Sequence, residues 1–542
     1  MMKKVFALIL CGLPLMINAQ GSFDVLQMSQ TELRGTSRFQ SMAGAFGALG
    51  GDLSTLTQNP AGIGVYRSSD AGITFSLDFN STKAGVNTTN ETKFNVNNAG
   101  YVGAIRLDNE TMPNLNFGFT FNRVNSFNRY YSGGVSGIST SMSNFLADQF
   151  VNAKGYAPEE LIDTYDYDPY FDSWAPWSAI VNFDMPTNDG GRVGIINAND
   201  MGMQGLYGDG TSGNAYYEVE ERGHADEYNI AFGGNISNKV YWGLDLGILD
   251  LDYKYYQGYE EDLKNPYIML DGYDLFESEI SNYNTTATTG MYNYLHSEGT
   301  GVNFKLGLIF KPVQALRFGL AMHTPTFYDI RDTYYVSAAI DAYQDGELLY
   351  SADKGSNYGY DYSSKYTIKT PWRFIGSVAG VIGQNAILSA DYEYVANQTM
   401  RMGDDRGNDY PDVTEEMKTY FKPSHIIRLG GEYRINPTWS LRAGYSYKTT
   451  QVDKVIDDYQ ITVNTAGTNP AYEYDNTVQH ITCGAGFRSG SFYADLAYIH
   501  KMRESVYNAF SPINDKYGYE PNVSADVKDN NNRISLTLGM RF

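Results

Sequence analysis

The last ten residues, RISLTLGMRF, set Ile534, Leu536, Leu538, Met540 and Phe542 on one side of an extended chain and Arg533, Ser535, Thr537, Gly539 and Arg541 on the other. Successive strand side chains point to opposite faces, so this is a strand with one oily and one polar face. The pattern recurs at residues 73–79, 101–107, 115–121, 226–236, 240–256, 302–310, 316–335, 366–381, 386–396, 425–435, 439–448, 478–487 and 492–507. That makes fourteen segments, joined alternately by turns of a few residues and by loops of a dozen to about ninety. Short turns on one side, long loops on the other and an even strand count are the marks of a bacterial transmembrane barrel. After Ile17 the chain has no run of 18 apolar residues, so helical spans are excluded. A barrel is allowed, because its lipid face takes only every second residue.

Residues 1–19 read as a secretory signal peptide: Lys3 and Lys4 precede an apolar run from Val5 to Ile17, with cleavage expected after Ala19. Its removal takes the formal charge from −22 to about −24 and leaves Cys483 as the one cysteine, so no internal disulfide framework is expected. Acidity argues against nucleic-acid binding, which needs a basic footprint.

Residues 20–67 do not follow the alternation. The stretch 35–66, GTSRFQSMAGAFGALGGDLSTLTQNPAGIGVY, is rich in glycine and small side chains and carries neither a helical stripe nor a strand pattern. It reads as a compact irregular segment that needs walls, that is, a plug inside the barrel of residues 68–542. Fourteen strands enclose more space than their own side chains fill, and the plug disfavours an open porin.

A Gly/Ala-rich leader ending in Asn59-Pro60-Ala61 ahead of the first strand, on a chain ending in an aromatic residue, resembles the outer-membrane transport proteins of the long-chain fatty acid channel (FadL-type) family. The resemblance implies an all-β, 14-stranded antiparallel transmembrane barrel with an N-terminal plug in its lumen. It also implies passive uptake of hydrophobic small molecules such as long-chain fatty acids, with displacement of plug residues near Phe23 or Asn59, Pro60 and Ala61. No cofactor or metal is expected. The partners expected are a hydrophobic ligand, outer-membrane lipid and, through the strand ending at Phe542, the barrel-assembly machinery, for a monomer in a Gram-negative outer membrane.

The polar faces offer Arg106, Lys305, Arg317, Arg373, Arg428, Arg434 and Arg442, mixed with Asp245, Asp391, Glu393, Glu432 and Asp495. Charges inside a barrel must be solvated or paired, so cross-strand ion pairs are one reading and a grip on a ligand carboxylate the other. In strand three the row Phe117, Phe119, Phe121 continues to Arg123, which would face lipid. Either Arg123 lies beyond the membrane and snorkels, or a bulge over Asn122, Arg123, Val124 and Asn125 resets the register. Family members have a kink in this strand that opens the wall sideways.

The longest insertion, 131–223, carries helically spaced Met142, Phe145, Leu146, Phe150 and Ala153, a second short helix with Leu161 and Ile162, and the aromatic residues Phe171, Trp174 and Trp177. Such a loop either packs on itself or captures a greasy ligand at the outer mouth.

The clusters Asp163/Asp166/Asp168/Asp172 and Asp404/Asp405/Asp409/Asp412 lack ordered calcium-loop spacing, and the six histidines are scattered. No serine elbow accompanies His425 or His480, so enzymatic activity is not expected. Two other functions remain open: a haem-acquisition receptor, a label that relatives of the resembled architecture sometimes carry, and a docking protein for a secretion or surface-attachment system.

Overall fold

The computed structural model describes residues 21–147, 195–197, 202–271, 279–355, 362–459, 461, 463, 470–515 and 518–542. Seventeen strand segments build the wall. They are β1 (Asp70–Ala84), β2 (Asn87–Arg106), β3 (Asn114–Asn125), β4 (Asn128–Ile138), β5 (Ser212–Ile236), β6 (Val240–Lys264), β7 (Thr285–Val313), β8 (Leu316–His323) and β9 (Phe327–Gln344). They continue with β10 (Tyr362–Lys369), β11 (Trp372–Ile382), β12 (Ala386–Ala396), β13 (Ser424–Arg434), β14 (Trp439–Thr449), β15 (Tyr472–Ser489), β16 (Phe492–Asn508) and β17 (Ser524–Arg541). Three crossings are each made of two pieces, β3 with β4, β8 with β9 and β10 with β11, so fourteen antiparallel crossings result. The ring closes where β1 pairs with β17, Asp70 opposite Arg541 through Leu77 opposite Ile534.

Two of the three breaks fall at Thr324-Pro325-Thr326 and Thr370-Pro371, where proline has no N–H to give to a ladder. The third, between Asn125 and Asn128, has no proline.

Outward side chains show where lipid lies. On β6 Leu244, Leu246 and Ile248 are exposed, and the next outward residues are Asp250 and Asp252. On β7 the exposed band runs over Val302, Phe304, Leu308 and Phe310. The strands nevertheless continue far beyond this band on the long-loop side: β5 and β6 have 25 residues each and β7 has 29. Above the bilayer an outward side chain can be polar, so the oily alternation fades while the backbone ladder goes on. The insertion read as 131–223 is accordingly shorter, since β4 runs to Ile138 and β5 begins at Ser212.

The amino-terminal segment contains α1 (Ser22–Met28), α2 (Ser37–Ser41), α3 (Thr55–Gln58) and a 3-10 turn, Pro60–Val65. It bonds to strands all round the ring. Glu32 N–H donates to Val124 O (2.9 Å), Gly47 N–H to Asp391 Oδ2 (2.9 Å), Ser37 N–H to Thr537 Oγ1 (2.7 Å), and Asn59 Nδ2 to Leu308 O (3.4 Å). A segment that touches β3, β7, β12 and β17 together can only be inside the barrel. Its helices, of seven, five and four residues, are too short to stand alone, and the wall supplies their partners.

Candidate functional site

The Asn-Pro-Ala triplet is built as a cap. Asn59 Oδ1 accepts from Ala61 N–H (3.1 Å) and opens the 3-10 turn, and Pro60 sits at the first turn position, where a missing N–H costs nothing. Asn59 Nδ2 donates to Gly47 O (2.6 Å), tying two arms of the plug together. The wall opposite is glycine. A Cβ at Gly243 would stand 2.1 Å from Pro60 O, one at Gly307 2.0 Å from Asn59 Oδ1, and one at Gly233 2.5 Å from the Ile63 side chain. The glycines of β5, β6 and β7 thus form a seat into which the triplet's backbone drops.

At the far end of the plug α1 enters an apolar chamber inside the barrel. Phe23, Val25, Leu26 and Met28 are buried with Tyr253, Tyr328, Tyr366, Met400, Met402, Met417, Tyr420 and Phe421. The Phe23 ring lies 5.2 Å from Phe421 and 4.8 Å from Tyr472, centroid to centroid. Ser22 Oγ donates to Glu416 Oε2 (2.5 Å) on α4 (Pro411–Tyr420), a helix of a long-side loop, so α1 is tied to the outer face. Asp24 enters with it, and burial pushes its carboxyl up to about 6 despite the Gly21 N–H it accepts at 2.7 Å. Docked, the acid holds its proton to a higher pH than when free, near 3.8. Docking is therefore strongest below about 4 and weakens as pH rises through 6. The protection of the Val25–Met28 amides, measured against the intrinsic exchange rate at each pH, is expected to be greater at pH 5 than at pH 8, and Asp24→Asn to remove the difference. A pH-independent rate ratio in the native chain would contradict this assignment.

Below α1 lies a cavity of about 270 Å³ bounded by the plug segment Gln27–Arg34, the break in strand three and the opposite wall. Ten Lys and Arg line it against seven Asp and Glu, although the chain as a whole carries −22. Most cations are paired. Lys305 Nζ lies 2.6 Å from Glu227 and 3.2 Å from Asp245; Arg442, outside the cavity lining, is likewise paired, with Glu432 (2.7 Å) and Asp495 (2.5 Å). Arg373 and Arg428 share a single carboxylate, Glu393, with Arg428 Nη2 at 2.6 Å. Arg428 Nη1 makes no hydrogen bond to another protein group and borders the cavity, so it is free to take an acceptor there.

Other expected lumen cations sit elsewhere. Arg106 and Arg434 are exposed at the short-turn rim, where strands end and charge is solvated, and Arg317 donates to the plug carbonyl Leu49 O (2.8 Å). The residues that sequence reading missed come largely from the plug and the upper strands: Glu32 with Lys501 (2.5 Å), Arg34 with Asp78 (2.9 Å), and Arg129 with Glu473 (2.6 Å) and Asp529 (3.2 Å). Burial favours the neutral acid at Glu32, but Lys501, Arg34 and Arg533 outweigh it and hold the carboxyl well below the usual range. Lys501 and Arg503 stand two apart in the 492–507 segment, the spacing that could have flagged them; Arg34 had no periodic signal.

At the strand-three break the register shifts, as one of the two readings of Arg123 requires. The pairing of β3 with β5 slips between Arg123 and Asn125, a bulge at the expected place. Arg123 borders the cavity with its side chain only 16% exposed, and it is paired, with Nε and Nη2 on Asp226 (2.8 and 2.9 Å) and Nη1 on Asn95 (2.9 Å). Above Asn98, which pairs with Asn122, β2 has a backbone ladder only to β1 among the described residues, while β4 pairs with β5. Side chains span the gap: Arg222 reaches Glu91, and Asn80 Nδ2 donates to Asn128 O (2.9 Å). From inside, plug residues close it, through the Glu32–Val124 bond and Asn125 Nδ2 on Gln30 O (3.3 Å).

Of the expected capture residues, Phe145 and Leu146 lie on a short helix, Met142–Ala147, and are each 1% exposed, packed with Phe510 and Tyr259 in a core that fills the outer mouth. They are not a landing surface, because the helix turns its apolar stripe inward. Phe150, Leu161, Ile162, Phe171, Trp174 and Trp177, the acidic cluster at 163–172 and the leader 1–19 lie outside the described residues. The histidines are dispersed over six strands, and no group of His, Cys, Asp and Glu able to hold a metal is found among the described residues.

The family described as outer membrane protein transport protein (OMPP1/FadL/TodX) matches residues 17–466. No curated protein matches the sequence. Among solved structures, a Pseudomonas aeruginosa FadL homologue is similar over 94% of this chain and 99% of its own, at 13% identity and TM-score 0.52. The Ralstonia pickettii toluene transporter TbuX covers the same shares at 14% identity and TM-score 0.45.

Proposed function

Because the chain belongs to the outer membrane protein transport protein (OMPP1/FadL/TodX) family, we propose that it is a passive outer-membrane channel for hydrophobic small molecules with an anionic end, long-chain fatty acids among them. The observation that carries this is the contiguity of three features in one lumen: an apolar chamber stoppered by α1, a cation-rich cavity beneath it, and a break in the wall beside that cavity. The apolar face of α1 occupies the space a ligand tail would take, so tail and helix compete for the chamber. The carboxylate end is assigned to Arg373 and Arg428, where two guanidiniums on one glutamate leave a positive excess and Arg428 Nη1 lacks an acceptor. When Gln30–Glu32 withdraws with α1, the gap between β2 and β4 loses its inner cover, and an oily ligand leaves sideways into lipid. Capture from outside is assigned to Phe150, Leu161, Ile162, Phe171, Trp174 and Trp177.

The test is uptake by cells whose only such channel is this chain. Oleate uptake is expected to depend on it, and Arg428→Gln to lower uptake by roughly tenfold, the cost of one charge-assisted hydrogen bond. A neutral aromatic hydrocarbon, which has no head group to lose, is expected to be unaffected. Equal loss for both ligands would remove the head-group assignment; oleate uptake independent of the chain would remove the function.

A further inference from the structure

We propose that the outward wall of the barrel above the bilayer is a saccharide-binding platform, and that its occupant is the carbohydrate chain of the glycolipid surrounding the protein in the outer leaflet. The inference rests on the outer-membrane reading and concerns a surface the transport mechanism does not use.

Tyr256, Tyr294 and Tyr335 stand directly opposite one another on β6, β7 and β9, forming one row across three strands. Their neighbours along the strands, Tyr255, Leu295, Tyr334 and Val336, belong to the inward face, and by alternation the row points out. One row further up, Tyr292 lies between Gly258 and Gly290. A Cβ at either glycine would sit 3.4 Å from the Tyr292 ring, so the absence of side chains there gives the ring a floor to lie on. Tyr292 hydroxyl donates to Glu260, whose ladder neighbour on β5 is the exposed Tyr216. Rings presented at the surface with carboxylate acceptors beside them match the chemistry of a pyranose: C–H faces that stack on aromatic rings, and hydroxyls that donate to oxygen.

Position selects the occupant. Tyr256 is eight residues above Ile248, the last lipid-facing apolar residue of β6. At about 3.3 Å per residue and a tilt near 40° that is roughly 20 Å above the oily band. A surface at that height which faces sideways meets the saccharide layer of neighbouring glycolipids, not a ligand descending toward the mouth. The outward residues between, Asp250, Asp252, Lys254 and then Glu260, are charged, with no aliphatic patch for a protein partner.

The test uses the full chain in detergent, mixed with lipopolysaccharide carrying its complete oligosaccharide core or with deep-rough lipopolysaccharide lacking it. Bound glycolipid per barrel is counted by native mass spectrometry. The wild type is expected to retain the core-bearing form over the deep-rough form by roughly tenfold, and Tyr256→Ser/Tyr294→Ser/Tyr335→Ser to erase the preference while keeping heat-modifiable migration on gels. Should that variant fail to assemble, Glu260→Gln, close in volume, is expected to weaken the preference severalfold. Equal retention of both forms by the wild type, or an unchanged preference in an assembled variant, overturns the proposal. Membrane fractionation separates this from the underlying reading: a chain found in the outer membrane without a core preference leaves the channel standing and removes the platform.

Discussion

Gly243→Val is expected to leave a correctly assembled barrel that leaks. The substitution places side-chain carbon where Pro60 O and Ala61 N now lie, at 2.1 and 2.6 Å from the first added atom, so two main chains would have to part. Neither can bend cheaply: β6 is held by ladders on both sides, and Pro60 is fixed by its ring and by the Asn59 cap. The overlap costs on the order of 1–3 kcal/mol in a well-packed site, and the plug, joined to the wall mostly by single polar contacts, is the part that yields. Reconstituted protein is expected to pass ions in planar bilayers where the parent is closed, and cells to become sensitive to large polar antibiotics. Gly376→Ala is the control, a glycine of β11 with an ordinary strand φ and nothing within 4 Å of an added Cβ. A tight, assembled Gly243→Val barrel would mean that the triplet is not seated by backbone contact.

The second large effect concerns which part of the plug moves. Ser22 and Glu416 touch through their side chains, and cysteines at both positions, in a Cys483→Ser background, can be joined by a short thiol cross-linker. The tether pins α1 in the chamber. Uptake of oleate is expected to fall at least about tenfold, because a ligand must then bind a state whose population has been removed. Ser37 Oγ and Ser535 Oγ are 3.1 Å apart, and a disulfide there would fix α2 to β17. That lock is expected to leave uptake nearly unchanged, since withdrawal of residues 21–32 alone uncovers the gap beside β2. Loss in both tethered forms would show that the whole plug must move; loss in neither would remove α1 from the path.

These two expectations separate what could be read in the chain from what could not. Alternation in segments such as 533–542 and 240–248 fixed the number of crossings and the lipid face, because a strand buried in hydrocarbon on one side writes its period into every second residue. It lost the upper halves of β5, β6 and β7, where water on the outer face imposes no oily residue and only the ladder continues. The bulge at Asn122–Asn125 was visible as a broken register at Arg123, but its partner Asp226 lies 103 positions away and no local pattern connects them.

Read in order, the chain specified a fourteen-strand wall, through the period of its alternating segments, and a glycine-rich leader that needs walls; the Asn-Pro-Ala triplet stood out only through a family resemblance. Tertiary structure decided the rest. Only closure of the ring brings Arg373 and Arg428 onto one glutamate, lays Gly243 and Gly307 under the triplet, and leaves β2 without a ladder where β3 breaks. These are contacts between residues tens to hundreds of positions apart, fixed by which strands become neighbours and in what register, and a single chain read in order carries no signal for them.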